Sequence, residues 1–327
     1  MSGNTRRKFA IALIVATLAL GALAIAGCGE AGDPTGTTAS PADGPIVHPS
    51  GPNEVVLRVS SGGGFVPISW NLTHVPEFTL YGDGTVIVTG PVIAIYPGPA
   101  LPNLQAARVS EETVQAILSA AREAGLFAND VDYGRPQITD VPTTVITINA
   151  EGTSYRSGIY ALGMEETAGG LSAEQEQARA AVSTLVGQLM DPTAFSTDEL
   201  QWSAYDFAAL AVFSVPVDPT LEPNPDDVQP NRLEWPFGDV LGEAVQPEGW
   251  RKIVVAEDML DDLRPVLGQA TQITIWTVGD REYNLYFRPL LPDEEDMQVF
   301  STGNSITLSG RISSTSNLSQ AISLAEA

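Results

Sequence analysis

One thiol, two imidazoles and a large surplus of carboxylates are the reactive groups of this chain. Cys28 is its only cysteine. It follows Ala26 and Gly27, so no bulk crowds the sulfur, and an enzyme acting on an extended backbone could reach it. The segment Asn129–Gly134, NDVDYG, begins like a calcium loop. Asp130 and Asp132 stand at alternate positions and Gly134 sits at a turn, but the third oxygen ligand and the distant Glu are missing, so a solvated loop is the default. Asp293–Met297, DEEDM, gathers four acids and reads as a solvated cap after a strand. The histidines are His48, in the tether, and His74 only; zinc sites usually draw on His and Cys, and a histidine-based triad could use only His74, which reads as a surface loop residue. No Gly-Lys-Ser/Thr phosphate loop and no Gly-x-Ser-x-Gly elbow is present. SGGGF at Ser61–Phe65 lacks the spacing of a nucleotide cradle and reads as a turn or lip.

The position of Cys28 depends on what precedes it. Arg6, Arg7 and Lys8 make a basic start, and Phe9–Ala26 is an 18-residue apolar run. A basic flank, an apolar middle and small residues at the end make a secretory signal over residues 1–27. The run also reaches the lower limit for a spanning helix. Ile25, Ala26, Gly27 and Cys28 resemble the lipobox of bacterial lipoproteins. The resemblance implies that the Cys28 thiol receives a diacylglycerol and becomes the first mature residue, with palmitate as a label. It also implies attachment to the extracytoplasmic face of the cell membrane. Arg6, Arg7 and Phe9 resemble the twin-arginine export signal. The Lys and Leu that often follow are absent, so the general secretory route stays open.

The formal net charge is −24; removing residues 1–27 takes away three basic residues and no acid, which makes it −27. A chain so acidic lacks the basic face that nucleic acid needs. Charge cannot hold it on an anionic bilayer either, so attachment falls to lipid. Solubility outside the cell accounts for the acids; capture of a basic ligand or an envelope protein is the sharper reading. With Cys28 modified no disulfide can form, and stability must come from a packed core.

Residues 28–53 are rich in Gly, Pro, Ser and Thr and read as the lipidated cysteine and a disordered tether. A first module follows over 54–192. EVVLRVS from Glu54 is a strand. EFTLYGDGTVIVTG is a hairpin turning around Asp83-Gly84, with Phe78 and Leu80 alternating outward and inward and Val86 and Val88 continuing the alternation. Ser110 caps a helix whose apolar face is Val114, Ile117, Leu118 and Ala121, stopped at Gly125. A second hairpin turns near Glu151-Gly152, and Ser172 with Gln175 forms a capping box before another helix. A second module spans 193–299. It holds a strand in DFAALAVFSVPV, a proline-rich acidic loop at 216–236, a short helix with Pro265 near its end, and a hairpin turning at Gly279-Asp280. Helix then hairpin thus occurs twice, which suggests two modules of similar plan. Residues 300–327, with eight serines, read as a disordered tail. The fold class is α+β, antiparallel hairpins packed with a few amphipathic helices.

GGGFVPISW, VPEFTLYGDGTVIV, the helix from Ser110, TDVPTTVITI and FRPLLPDE resemble uncharacterised lipoproteins of high-GC bacteria over residues 54–296. The resemblance carries no activity, catalytic residue or cofactor beyond the diacylglycerol on Cys28. The functional expectation is a lipid-anchored, non-enzymatic binding or structural module of the cell envelope. The alternative is an envelope hydrolase using paired carboxylates. Of Trp70, Trp202, Trp235, Trp250 and Trp276, any that line a groove would mark a binding surface.

Overall fold

Two mainly antiparallel sheets carry the hydrophobic patterns described above. A computed structural model describes residues 44–164, 169–196, 199–218, 220 and 228–294, and the backbone of 297–302 and 305–310. The signal segment, Cys28 and its lipobox lie outside these residues. Everything described belongs to one compact unit that begins at Gly44.

The first sheet is built from β1 (Val55–Gly62), β2 (Phe78–Tyr81), β3 (Thr85–Thr89), β4 (Leu104–Arg108), β5 (Thr143–Ala150), β6 (Thr153–Tyr160) and β7 (Ser203–Ala204). Their order is β6-β5-β1-β2-β3-β4-β7, antiparallel throughout. Alternation along each strand gives the sheet two different faces. Leu57, Val59, Phe78, Leu80, Val86, Val88, Ile146 and Ile148 point to one face and form the main core. Two helices cover that face, α2 (Glu111–Glu123) with Ile117 and Leu118, and α3 (Ala173–Leu189) with Val182 and Leu185. Both helices start where their caps were expected. The Ser110 hydroxyl accepts from the Thr113 amide, and Ser172 and Gln175 exchange both bonds of the capping box. Gly125, at φ 81°, ends α2, and the amides of Gly125 and Leu126 close back onto Arg122 and Ala121. The guanidinium of Arg179 in α3 is fully buried and donates to the carbonyls of Tyr133, Tyr160 and Ala161.

The second sheet comprises β8 (Ala209–Pro216), β9 (Arg232–Glu234), β10 (Glu243–Val245), β11 (Trp250–Ala256), β12 (Ile275–Val278) and β13 (Arg281–Pro289), in the order β10-β11-β8-β13-β12-β9. All neighbours are antiparallel except β9 and β12. β8 is central, and six of its residues in a row are buried, so it reads as a continuous apolar run rather than an alternation. One face holds Leu210, Val212, Val255 and Phe287 under Leu260, Leu263 and Leu267 of α4 (Glu257–Leu267). Pro265 lies inside that helix, two residues before its end. The other face carries Ala211, Phe213, Trp250 and Tyr286, with Leu72 of α1 (Ile68–Thr73) against it. So the α+β class holds, with helix then hairpin in both halves: α2 before β5–β6 and α4 before β12–β13.

Three stretches differ from the sequence reading. Residues 44–53, assigned to the tether, belong to the folded body. Ile46 is buried; its amide donates to Gln115 Oε1 (2.7 Å) and its carbonyl accepts from Gln115 Nε2 (2.9 Å). One buried isoleucine and a two-way amide clamp hold a segment whose composition looks unfoldable. Second, β7 at 203–204 pairs with β4, so the first sheet extends past the boundary drawn at 192. Third, β14 (Met297–Thr302) and β15 (Ser305–Gly310) form a two-stranded sheet of their own, where a tail was expected from 300. Residues 303–304 and 311–327 lie outside the described residues.

Candidate functional site

Acids expected in solvent are instead buried between the sheets. β13 ends at Pro289, and the chain turns so that Leu291 enters an apolar patch with Val55, Tyr81 and Ile87 on the back of the first sheet. Two residues on, Asp293 meets Arg58 of β1. Arg58 Nη1 and Nη2 donate to the two carboxylate oxygens at 2.9 and 2.7 Å, and the side chains are 6% and 0% exposed. The Tyr81 hydroxyl donates to Asp293 Oδ1 at 2.7 Å, and Arg58 Nε donates to Thr79 Oγ1 at 3.2 Å. Beside this set, Arg288 makes the same two-pronged contact with Glu294, at 2.9 and 2.7 Å, while its Nε donates to the His74 carbonyl. The acidic run read as a solvated cap is therefore half a clasp. Its signal was hidden because the partner of Asp293 lies 235 residues away.

The electrostatics follow from burial against charge. Burial works against the Arg58 cation, but Asp293, Tyr81 and Glu294 outweigh it and raise its pKa. Burial, then the Asp293 charge, pushes the Tyr81 hydroxyl well above its ordinary value. Burial pushes the Glu294 carboxyl up, yet the charge and hydrogen bonds of Arg288, with Arg58 and the Leu291 amide, hold it below the usual range. Burial, then Arg288, lowers Lys252. Each carboxylate of the clasp is neutralised by a guanidinium and saturated with donors. With both carboxylates engaged in this way, the clasp is structural chemistry.

A cleft of about 900 Å³ lies alongside. One wall is α1, with Trp70 and Ser69. The opposite wall is the loop from Gly90 to Asn103. That loop is closed at its base, where the Gly90 amide donates to the Asn103 carbonyl at 2.7 Å. Farther along, it is stitched to the second half: Gln272 N donates to Gly98 O, Ala100 N to Ala270 O, and Pro99 bridges Thr271. Its tip holds Val92, Ile93, Ile95 and Tyr96, each more than half exposed. The floor is β13, where Leu285, Tyr286 and Phe287 line the cleft. Burial pushes the Tyr286 hydroxyl up, against the pull of its bond to Ser69. No Asp, Glu, His, Lys or Arg is among the lining residues. Polar character comes from Ser69, Thr73, Asn103, Gln272, the phenols and main chain. Such a surface can desolvate an apolar or aromatic group and hydrogen-bond a neutral one.

The other sequence candidates fall elsewhere. Asp132 accepts from the Gly134 amide (2.8 Å) and from Gln175 Nε2 (3.0 Å), which ties the loop to the capping box of α3, and Asp130 is exposed. Among the described residues no group of three or more His, Cys, Asp and Glu could hold a metal. His48 reaches Glu111 of α2 at 3.1 Å, and His74 stacks on Trp70 with ring centroids 4.1 Å apart. Trp235 and Trp276 meet edge to face in the second core, Trp250 lies against Tyr286, and Trp202 is partly exposed. Trp70 lines the cleft, the position that in the sequence reading would mark a binding surface. Ser61 and Gly62 of SGGGF end β1, and the turn follows, with Gly63 and Gly64 at positive φ and Phe65 exposed. Among the described residues no helix is long and apolar enough to cross a membrane. No family model, curated protein or solved structure was found to match the chain.

Proposed function

We propose that the chain is a lipid-anchored binding protein of the bacterial cell envelope, held by a diacylglycerol on Cys28 at the extracytoplasmic face, and that the cleft between α1 and the 90–103 loop is its binding site. One observation carries the binding part: a cleft of about 900 Å³ whose lining has aromatic and aliphatic groups and no charged side chain. Acid–base catalysis needs a titratable group within hydrogen-bond reach of the substrate. The cleft offers none in its lining but tyrosine, so the hydrolase alternative draws no support from the lining. The anchor rests on Ile25, Ala26, Gly27 and Cys28, with Arg6 and Arg7 serving export.

Two variants test the two parts. Cys28→Ala should abolish palmitate incorporation and leave precursor in the membrane; label in that variant overturns the anchor. Ile93 is 67% exposed, so Ile93→Asp leaves the core intact while placing a charge at the cleft rim. Capture from solubilised membranes, followed by mass spectrometry, should lose its principal species in Ile93→Asp. An unchanged set overturns the cleft as the site.

A further inference from the structure

We infer that the cleft takes an extended polypeptide segment, which adds as a strand to the open edge of β13 at Phe287; this rests on the cleft being the binding site. Successive side chains of a strand point to opposite faces. Leu285, Tyr286 and Phe287 nevertheless all line one cleft. A hollow can touch three consecutive residues only if it runs along the strand's edge.

That edge is open. β12 pairs with β13 only from Val278↔Arg281 to Ile275↔Asn284. On the other side β13 is paired with β8 as far as Pro289. The turn between β12 and β13 has two residues, Gly279 and Asp280, so the closing pair Val278 and Arg281 exchanges both main-chain bonds, and bonded pairs recur at every second residue. Odd-numbered residues of β13 therefore turn N–H and C=O toward β12, and even-numbered ones toward β8. Two bonds beyond the ladder agree: Val217 N donates to Glu282 O, and Leu290 N to Ala209 O. Phe287 then presents its N–H and C=O on the side where β12 has ended. Among the described residues no strand pairs with β13 there.

The main chain selects the occupant. An acyl chain or an apolar small molecule filling the cleft would strip water from the Phe287 amide and carbonyl and give nothing back. A second backbone satisfies both, which is the basis of strand addition. The edge from Leu285 to Phe287 that lines the cleft spans roughly 10 Å, so about three residues of the partner pair along it and its neighbours reach beyond. Charge sets the composition. The lining is uncharged, so the central residues are neutral, with apolar side chains toward Trp70 and Ile93. The chain carries a net charge of −24, so basic flanks steer the partner in. The same charge works against an anionic bilayer as the occupant of the exposed loop tip.

The test uses full-length protein in detergent and a fluorescein-labelled nonapeptide, with five alternating Thr and Val residues between two pairs of lysines. Two further peptides carry N-methyl groups on one or the other alternate set of central amides. Fluorescence anisotropy should show saturable binding of the parent peptide. One methylated peptide should weaken at least tenfold and the other little, because only one set of amides faces the edge. Exchange of the Phe287 amide should slow on binding, and Ile93→Asp should weaken the parent peptide. If both methylated peptides bind like the parent, strand addition is overturned while the cleft stands. If no peptide binds and phosphatidylcholine or phosphatidylglycerol vesicles do, the loop tip is a lipid contact and the inference fails. The cleft itself fails only if membrane capture is also unchanged in Ile93→Asp.

Discussion

Asp293→Asn removes the negative charge from the clasp and keeps its shape. The variant leaves the Arg58 guanidinium 6% exposed, facing an amide where two charge-assisted bonds stood. The Tyr81 hydroxyl loses its charged acceptor at the same time. Breaking one side of a buried pair costs about 3–5 kcal/mol, because the remaining ion cannot regain water. With a urea slope of about 3 kcal/mol per molar, the unfolding midpoint should fall by roughly 1–1.7 M. Replacing both partners by apolar residues, Arg58→Met with Asp293→Leu, should recover most of that loss, since the charges were costly to bury in the first place. The assay is urea unfolding followed by tryptophan fluorescence and far-UV circular dichroism together. Because Asp293 and Leu291 connect the second sheet to the first, the single variant should also separate the two signals. A loss under about 1 kcal/mol in Asp293→Asn, or a double variant worse than the single one, refutes the view that an uncompensated ion sets the cost.

Acid should act through Glu294. Its carboxyl is depressed from an ordinary value of 4.5, so the stability it contributes is complete above that value and drains away as pH falls through the lower folded-state value. Glu294→Gln should flatten the fall in melting temperature below about pH 4.5, and an unaltered acid limb counts against the pairing. Gly82→Ala would place a methyl group 2.5 Å from Pro49 O and 2.7 Å from Gly51 N, both backbone. It should cost roughly 1–3 kcal/mol and open residues 44–53 to protease, whereas an unchanged digestion pattern would show that segment to be loosely held. Asp132 already has two donors, so millimolar calcium should move the melting temperature by less than about 1 °C. A rise of several degrees, lost in Asp130→Asn, would make the loop a metal site after all.

What was legible in the sequence was local. Hairpins with alternating apolar residues, the Ser110 cap, the Ser172–Gln175 box and the Gly125 stop depend on residues within a few positions of each other, and all of them form. The strands that went unread have weak patterns of their own. β4, LQAAR, gains its place from β3, and the two-residue β7 from β4. β11, WRKIVVA, has Lys252 where an apolar residue would have completed the alternation; that ammonium lies 5.7 Å from the Phe213 ring. Burial of Asp293 and Glu294 was invisible because a carboxylate's environment depends on where its cation sits, and Arg58 is on the first strand. The cleft was hidden for a similar reason. α1, the 90–103 loop and the edge of β13 are brought together only by the way the two sheets meet, and only the suspicion attached to the tryptophans pointed toward Trp70.

The separation of 235 residues between Arg58 and Asp293 also bears on a shortened chain. In chain order β1 and β2, which hold Arg58, Thr79 and Tyr81 side by side, precede Asp293 by 212 residues or more. Closure of the fold therefore depends on residues 291–294: a chain cut short of that point leaves the Arg58 guanidinium without its carboxylate and the apolar patch of Val55, Tyr81 and Ile87 without Leu291.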